Sequence, residues 1–487
     1  MNQKNSRQQD GNPIRGDQVE VQSLGGDAQS LLWSSKCGSL RMLSRLGTGV
    51  RAWFPTLRCV STQATAADYF DPCSDPKNPK DLSLSQIKEA YERIKGKVAC
   101  TDCNRSHYFS KIAGCDVYLK MENKQRTGSF KERGARNALM SLSQEERKKG
   151  VFVGSNGNYA EAMAYHGKQL GVPVTVVMPR FISLTTISLC KDFGAEVVVE
   201  GKDHSEVRAA AFKLAQEKGG KFIDGHDHID MIAGAGTIGL EILEQVKDVD
   251  YVLVPVGGAG LLAGIASAIK QTSPKTKIIG VEPEASRPLS AALKEGRPVN
   301  IKTLPSLASS LAVSRVGYNS FHIAKGNIEK TIAVRENEIS LAILRMLERE
   351  KALVEGAGAM GPAALLAGNV EGISGKKVVC VLSGGNIDST IVGRSIEKGL
   401  VADHRLVMFE VLLPDRPGCL SEVFEIAGHT GASIKHVAVE HVFHRFGMFA
   451  GKCKIVLETR GLEHCDDLKD VLLKRFGQNN CEFFMKN

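Results

Sequence analysis

No run of about eighteen apolar residues occurs in the sequence, so nothing in it reads as a membrane-spanning helix. No basic block is interleaved with aromatics, which argues against nucleic-acid binding. The net charge of +9 is mild and is spread along 487 residues. A second cysteine pair is also missing. Cys100 and Cys103 form one CxxC, but a zinc framework needs a partner pair. The twelve cysteines are scattered and read as free thiols in a reducing compartment. The glycine loop at Gly257 lacks GxGxxG spacing and has no ribose-binding acid attached, which speaks against a dinucleotide site.

Acidic residues are absent from Ala28 to Ala66, whereas Lys36, Arg41, Arg45, Arg51 and Arg58 are spaced there among Leu, Trp and Phe. Residues 1–66 hold eight Lys/Arg against four Asp/Glu and lack sustained periodicity. From Met42 onwards the composition is that of a mitochondrial presequence. A disordered tail is the alternative, because the first 28 residues do not fit an N-terminal presequence. The location expected is therefore the mitochondrial matrix or the cytoplasm.

Regular patterning begins near residue 83. Leu84–Ile94 reads as a helix, with Ser83 as N-cap and Gln86 closing a capping box. Short β-rich runs then alternate with helical stretches. The runs are 117–120, 151–153, 174–178, 196–199, 251–256, 277–281 and 377–382; the helical stretches include 134–142, 159–170 and 205–217. Such alternation predicts an α/β fold with parallel sheets covered by helices on both faces. Two such sheets with a cleft between them fit residues 67–400. Beyond a boundary near 399–404 the order becomes βαββαβ: strands 405–413, 432–440, 452–459 and 481–484, with helices 420–429 and 463–475. That predicts a separate α+β module over 405–487.

Three features of the α/β region carry chemistry. Lys131 stands in Thr127-Gly128-Ser129-Phe130-Lys131-Glu132-Arg133-Gly134-Ala135, a Gly/Ser turn that enters a helix. A lysine so placed suits a Schiff base, and the helix N-terminus favours an anion. Gly257-Gly258-Ala259-Gly260-Leu261 follows an apolar strand and opens a helix, as a phosphate cradle does. Ser383-Gly384-Gly385-Asn386 puts a hydroxyl at the end of another strand. Each alone is common in surface turns and βα loops. Their joint order reads as a pyridoxal phosphate site.

With Lys120-Met121-Glu122-Asn123-Lys124-Gln125 ahead of the lysine run, the chain resembles the fold-type II pyridoxal phosphate enzymes, specifically the serine/threonine dehydratases. Val281-Glu282-Pro283, Leu353-Val354-Glu355-Gly356-Ala357-Gly358-Ala359 and Ala233-Gly234-Ala235-Gly236-Thr237-Ile238-Gly239-Leu240-Glu241 extend the likeness over roughly 83–400. Asp415-Arg416-Pro417-Gly418 and Gly431-Ala432-Ser433-Ile434 make the last module similar to an ACT domain. The combination resembles catabolic threonine dehydratases that carry one C-terminal ACT domain.

The resemblance implies roles. Lys131 would hold the cofactor and act as the base at Cα, which requires a lowered pKa. Phe130 would pack beside the ring, and the amides of Gly257, Gly258, Ala259, Gly260 and Leu261 would hold the phosphate. Asn158 would bond the ring oxygen, Glu355 would lie near the ring, and Ser383 would face the pyridine nitrogen. A hydroxyl there does not keep the nitrogen protonated as a carboxylate would, which suits β-elimination over transamination. The loop Ser155, Asn156, Gly157, Asn158 would receive the substrate carboxylate.

The implied reaction converts L-threonine or L-serine to 2-oxobutyrate or pyruvate plus ammonia. A homo-oligomer, dimer or tetramer, and an amino-acid effector at the ACT-like module are implied too; a dimerisation module without ligand is the alternative there. Two departures stand out. Asn156 replaces a smaller Ser or Ala, and Ala259 replaces a glycine, which its methyl permits if φ is negative. Two other readings follow: a serine-racemase-like enzyme, disfavoured because the Asn156 amide does not exchange protons near neutrality, and a weakly catalytic amino-acid sensor. Some relatives bind a metal through the acid matching Glu282 and an aspartate six residues on. Pro288 stands at that later position, so no metal is expected.

Overall fold

The computed structural model describes residues 71–155, 157–182, 184–442 and 448–484. The presequence reading of residues 1–66 and the part expected of Asn156 fall outside them. Fourteen strands occur among the described residues: β1 (Cys103–Arg105), β2 (Asp116–Lys120), β3 (Val151–Gly154), β4 (Val174–Met178), β5 (Glu196–Val199), β6 (Lys221–Phe222), β7 (Tyr251–Pro255), β8 (Lys277–Pro283), β9 (Lys330–Val334), β10 (Lys377–Val381), β11 (Leu406–Pro414), β12 (Ser433–Glu440), β13 (Ala450–Glu458) and β14 (Cys481–Phe484).

The six-stranded sheet has the order β1-β2-β10-β7-β8-β9. It is parallel throughout except for β1, which pairs antiparallel with β2. Its central strands are apolar on both faces, as a buried parallel sheet requires. Val252, Val254, Ile278, Val379 and Val381 enter one core, while Leu253, Ile279, Val281, Val378 and Cys380 enter the core on the opposite side. The second sheet, β5-β4-β3-β6, is wholly parallel and lies within a third core built on Val151, Val153, Val174 and Val176. Together these sheets form the expected two-sheet α/β region.

Helix boundaries follow local chemistry. Leu84–Ile94 begins at Ser83, and both halves of its capping box with Gln86 are present. The helix expected over 134–142 starts earlier, at Lys131, and runs to Met140. Glu132 reaches back to the Thr127 amide and closes that start. The strands β1, β6 and β9 were not legible. β1 and β6 are three and two residues long, too short for a period to show. β9 is an edge strand with only Val334 buried.

The last module has the expected βαββαβ order and an antiparallel sheet β12-β13-β11-β14. Val407, Phe409, Val411, Cys453, Ile455 and Leu457 turn to one face, where they meet Val423, Ala427, Leu468 and Leu472 of the helices Cys419–Thr430 and Leu462–Phe476. On the other face Glu410 binds Lys452 and, at 3.1 Å, Lys454.

The module follows the helix Ser389–Ala402 directly, and charged residues bind the two regions at the join. Arg405 reaches Glu348 at 2.6 Å, and Arg345 holds both Glu348, at 2.8 Å, and Asp403. Thr459 of the module bonds the carbonyls of His404 (2.7 Å) and Arg405 (2.9 Å). The ten cysteines of the described residues are all free thiols. None of the described helices is long and apolar enough to cross a membrane.

Candidate active site

The turn before Lys131 is stitched to the end of β10. Ser129 and Gly384 form an isolated bridge, the Phe130 amide bonds the Ser383 carbonyl at 3.0 Å, and the Gly385 amide bonds the Gly128 carbonyl at 2.9 Å. Lys131 and Ser383, far apart in sequence, thereby enter one wall. The helix behind Lys131 is pinned by four buried charges. Arg133 binds Glu122 (2.7 Å) and Glu241 (2.6 Å), and Lys120 binds Glu241 at 2.6 Å, all with side chains 0–3% exposed. Their formal charges cancel, which makes such burial tolerable. Gly234 lets the helix Ile229–Gln245 lie close against Lys131–Met140, since a Cβ there would meet the Arg133 carbonyl at 2.6 Å.

One cleft gathers the predicted residues. Phe130, Lys131, Ser155, Gly157, Asn158, Gly257, Gly258, Ala259, Gly260, Leu261, Glu355 and Ser383 all line it. The loop from Gly257 links β7 to the helix Gly260–Thr272. The amides of Gly257, Gly258, Ala259 and Gly260 bond no acceptor among the described residues. Gly258 is required by a close neighbour: a Cβ on it would lie 2.4 Å from the His226 ring. The condition set for Ala259 is not met. Its φ is +70°, in the left-handed region, as N-cap of the helix. A glycine would sit there without strain, and the alanine bears a backbone cost of about 1–2 kcal/mol.

Lys131 Nζ donates to the Gly225 carbonyl and lies 5.2 and 5.5 Å from the ring centres of Phe130 and Tyr159. Burial draws its pKa down to about 8, against the pull of Asp224 toward the charged form. About a tenth of the amine is thus neutral at pH 7, far more than in an ordinary lysine, and the neutral form is the one that acts as nucleophile and base. Asn158 Nδ2 donates to Glu355 at 2.8 Å, and Ser310 Oγ does so at 3.3 Å. Burial nevertheless pushes the Glu355 carboxyl up to about 7. Asn386 links the Asn158 side-chain oxygen to Glu161 at 2.9 Å each, and burial raises Glu161 to about 7 as well.

Glu282, the acid matching a metal ligand in some relatives, instead caps the helix Pro288–Glu295. It accepts from the Leu289 amide at 2.7 Å and the Ser290 amide at 3.1 Å.

The sequence did not point to His204, Arg208, Asp224, His226 or Tyr159, which also line the cleft. No motif marks the first four. Tyr159 adjoins Asn158, and adjacency was its only signal. Ser310 lines the cleft too; its signal was the pair Ser309-Ser310, which stands where the dehydratases usually carry Asp-Gly.

The fit to pyridoxal phosphate rests on three observations: unbonded amides at a helix N-terminus suit a phosphate, a buried lysine amine of lowered pKa suits an aldehyde, and a buried serine stands in the same cleft. Fold and site together define a pyridoxal phosphate enzyme of the two-sheet, fold-type II class. The model of the family described as "Pyridoxal-phosphate dependent enzyme" matches residues 94–384, and the chain belongs to that family. It is 41% identical over 394 residues to an L-threonine ammonia-lyase of Thermotoga maritima, covering 81% of this chain and 98% of that one. The processed form of threonine deaminase isoform 2 from Solanum lycopersicum superposes with a TM-score of 0.61 at 32% identity, covering 66% of this chain and 95% of that one. The serine racemase of Dictyostelium discoideum gives 0.59 at 34% identity, over 63% and 99%.

Proposed function

We propose that this enzyme deaminates L-threonine, and L-serine with it, releasing 2-oxobutyrate or pyruvate and ammonia. The observation that carries the reading is the pairing of a buried Lys131, whose pKa is drawn down to about 8, with a serine, not a carboxylate, at position 383 of the same cleft. Similarity to an L-threonine ammonia-lyase along nearly that protein's whole length supports threonine as substrate.

Bound pyridoxal phosphate supplies an electron sink conjugated to the substrate Cα. The chain's own residues do the rest. The amides of Gly257 to Leu261 would hold the phosphate, and the helix behind them contributes its positive end. Phe130 would pack against the ring. The Ser383 hydroxyl would share a hydrogen bond with the pyridine nitrogen without holding a full proton there. The loop Ser155, Asn156, Gly157, Asn158 would receive the substrate carboxylate. Lys131 would take the Cα proton with its neutral amine; that proton is then available to the β-hydroxyl, which leaves as water, and addition of water to the released enamine gives the 2-oxo acid and ammonia. Asn158 would bond the ring oxygen while its Nδ2 holds Glu355.

Ammonia and 2-oxo acid release from L-threonine and L-serine, measured for the wild type and for Lys131→Ala, tests this. Product formation abolished by the substitution is expected. A cofactor-loaded wild type that releases neither product overturns the reading in favour of an amino-acid sensor. Similarity to a serine racemase favours racemisation as a second reading, and the same assay with chiral analysis of recovered serine separates the two.

Regulation by an amino acid at residues 405–487, assembly as a homo-oligomer, and a mitochondrial address beginning at Met42 belong to this proposal. The module's antiparallel sheet supports the first two, and the acid-free basic stretch supports the third.

A further inference from the structure

The four cleft residues that no motif marks stand together beside Lys131. Asp224 follows β6, and Gly225, the acceptor for Lys131 Nζ, is the next residue. The Asp224 carboxylate binds Arg208 and accepts from the amides of His226 (2.9 Å) and Asp227 (2.8 Å), with the His226 ring at 3.3 Å. Arg208 comes from a different element, the first turns of the helix His204–Lys218. The carboxylate is 2% exposed and the arginine 17%, so water screens the pair little.

We propose that Arg208 is a positioning residue for the Lys131 amine: by pairing with Asp224 it fixes the Gly225 carbonyl against Nζ and offsets the carboxylate charge next to that nitrogen. The inference rests on Lys131 being the cofactor-bearing base.

The charged and titratable groups around Nζ are few. Asp224 and Arg208 lie on one side, with His204 and His226 beside them, and Glu355 lies in the same cleft. The Tyr159 ring and the Gly257 to Gly260 loop bring no charge. Burial, reinforced by Arg208, holds His204 down at about 4; burial, against Asp224, holds His226 at about 3. Both imidazoles are therefore neutral when Lys131 titrates. Behind the pair lie two further carboxyls: Asp71, which interacts with both Asp224 and Arg208, and Asp227, which interacts with Asp224, and burial raises the pKa of each. Removing Arg208 takes a cation from beside Asp224, and removing Asp224 takes an anion from beside Nζ, with opposite consequences for a proton on Nζ.

The test is a pH titration, in the holoenzyme, of the visible band of the lysine–cofactor linkage, with the low-pH limb of kcat/KM recorded beside it. Arg208→Ala leaves Asp224 unopposed and raises the apparent pKa by about one unit or more. Asp224→Asn removes the anion next to Nζ and lowers it by a similar amount. The double variant returns towards the wild type, and Arg208→Lys restores most of the shift. A purely structural role would move both single variants the same way or move neither, and either result overturns the proposal. If Arg208→Ala does not retain cofactor, the sign of the shift in Asp224→Asn and in Arg208→Gln decides. Lys131→Ala serves as the control: if the band survives in it, the reading of Lys131 fails, whereas loss of the band with unmoved Arg208 and Asp224 variants refutes only this inference.

Discussion

Glu355 holds its proton under conditions in which an ordinary glutamate has lost it. Its folded-state pKa of about 7, set by burial against the bonds from Asn158 and Ser310, lies above that of the unfolded chain. The folded protein therefore binds the extra proton between about pH 4.5 and 7, and stability falls as pH rises through that window. Glu355→Gln removes this residue's share of the dependence and leaves that of Glu161. The apoprotein of this variant is expected to gain on the wild type as pH goes from 5 to 8, by at most about 3 kcal/mol; denaturant midpoints across that range check it, and parallel curves would refute it. At this scale the legible residues were those whose type is bound to a short pattern: Lys131 in its turn, the Gly257 loop, Ser383 at a strand end. His204, Arg208, Asp224 and His226 were hidden, because their properties arise from mutual burial. An Asp-Gly-His string on its own is an ordinary turn. The expectation for Ala259 went wrong over a backbone angle, which residue type constrains only statistically.

Among the elements, the helix Lys131–Met140 depends most on charges it hides. Arg133 binds two carboxylates at once, and removing it leaves Glu122 and Glu241 with Lys120 as their one buried cation. Arg133→Ala is expected to cost about 3–5 kcal/mol, seen as a lower denaturation midpoint, together with weaker cofactor retention since Lys131 is two residues away. A variant of wild-type midpoint would show that the network is dispensable. Element existence was legible wherever the apolar period was sustained. The buried strand β4, the edge strand β5 and the helix Leu84–Ile94 keep the predicted bounds, the last because its Ser83–Gln86 box announces its start. The Lys120 and Glu122 side chains look like surface charges in sequence; only the packing of β2 against neighbouring helices reveals them as fully buried.

For the whole molecule, the join at residues 403–405 sets how far the two regions behave as one. Glu348 links Arg345 with Arg405, and it lies seven residues before Glu355 in the cleft. Glu348→Ala faces those two arginines with Asp403 as their shared partner, a loss of about 1 kcal/mol for partly exposed pairs. Calorimetry is expected to show the C-terminal module melting earlier and separately from the α/β region. A single unshifted transition would mean that Thr459 and backbone contacts suffice. The two-sheet architecture and the βαββαβ module were both readable from the order of elements, but not the strand order within the large sheet, because sequence order and spatial order diverge at β10.

That divergence reaches back into how the chain is made. β10 lies between β2 and β7, yet it leaves the ribosome long after either. Until residue 381 emerges, the middle of the largest sheet is missing, and β2 and β7 each show an open parallel edge. The sheet β5-β4-β3-β6 comes from one continuous stretch and can close during synthesis. Unpaired apolar edges invite aggregation, so the nascent large sheet is the part of this protein that a chaperone has most reason to hold. Ser383 arrives with β10, and the cofactor cleft is complete only when that last central strand slots in.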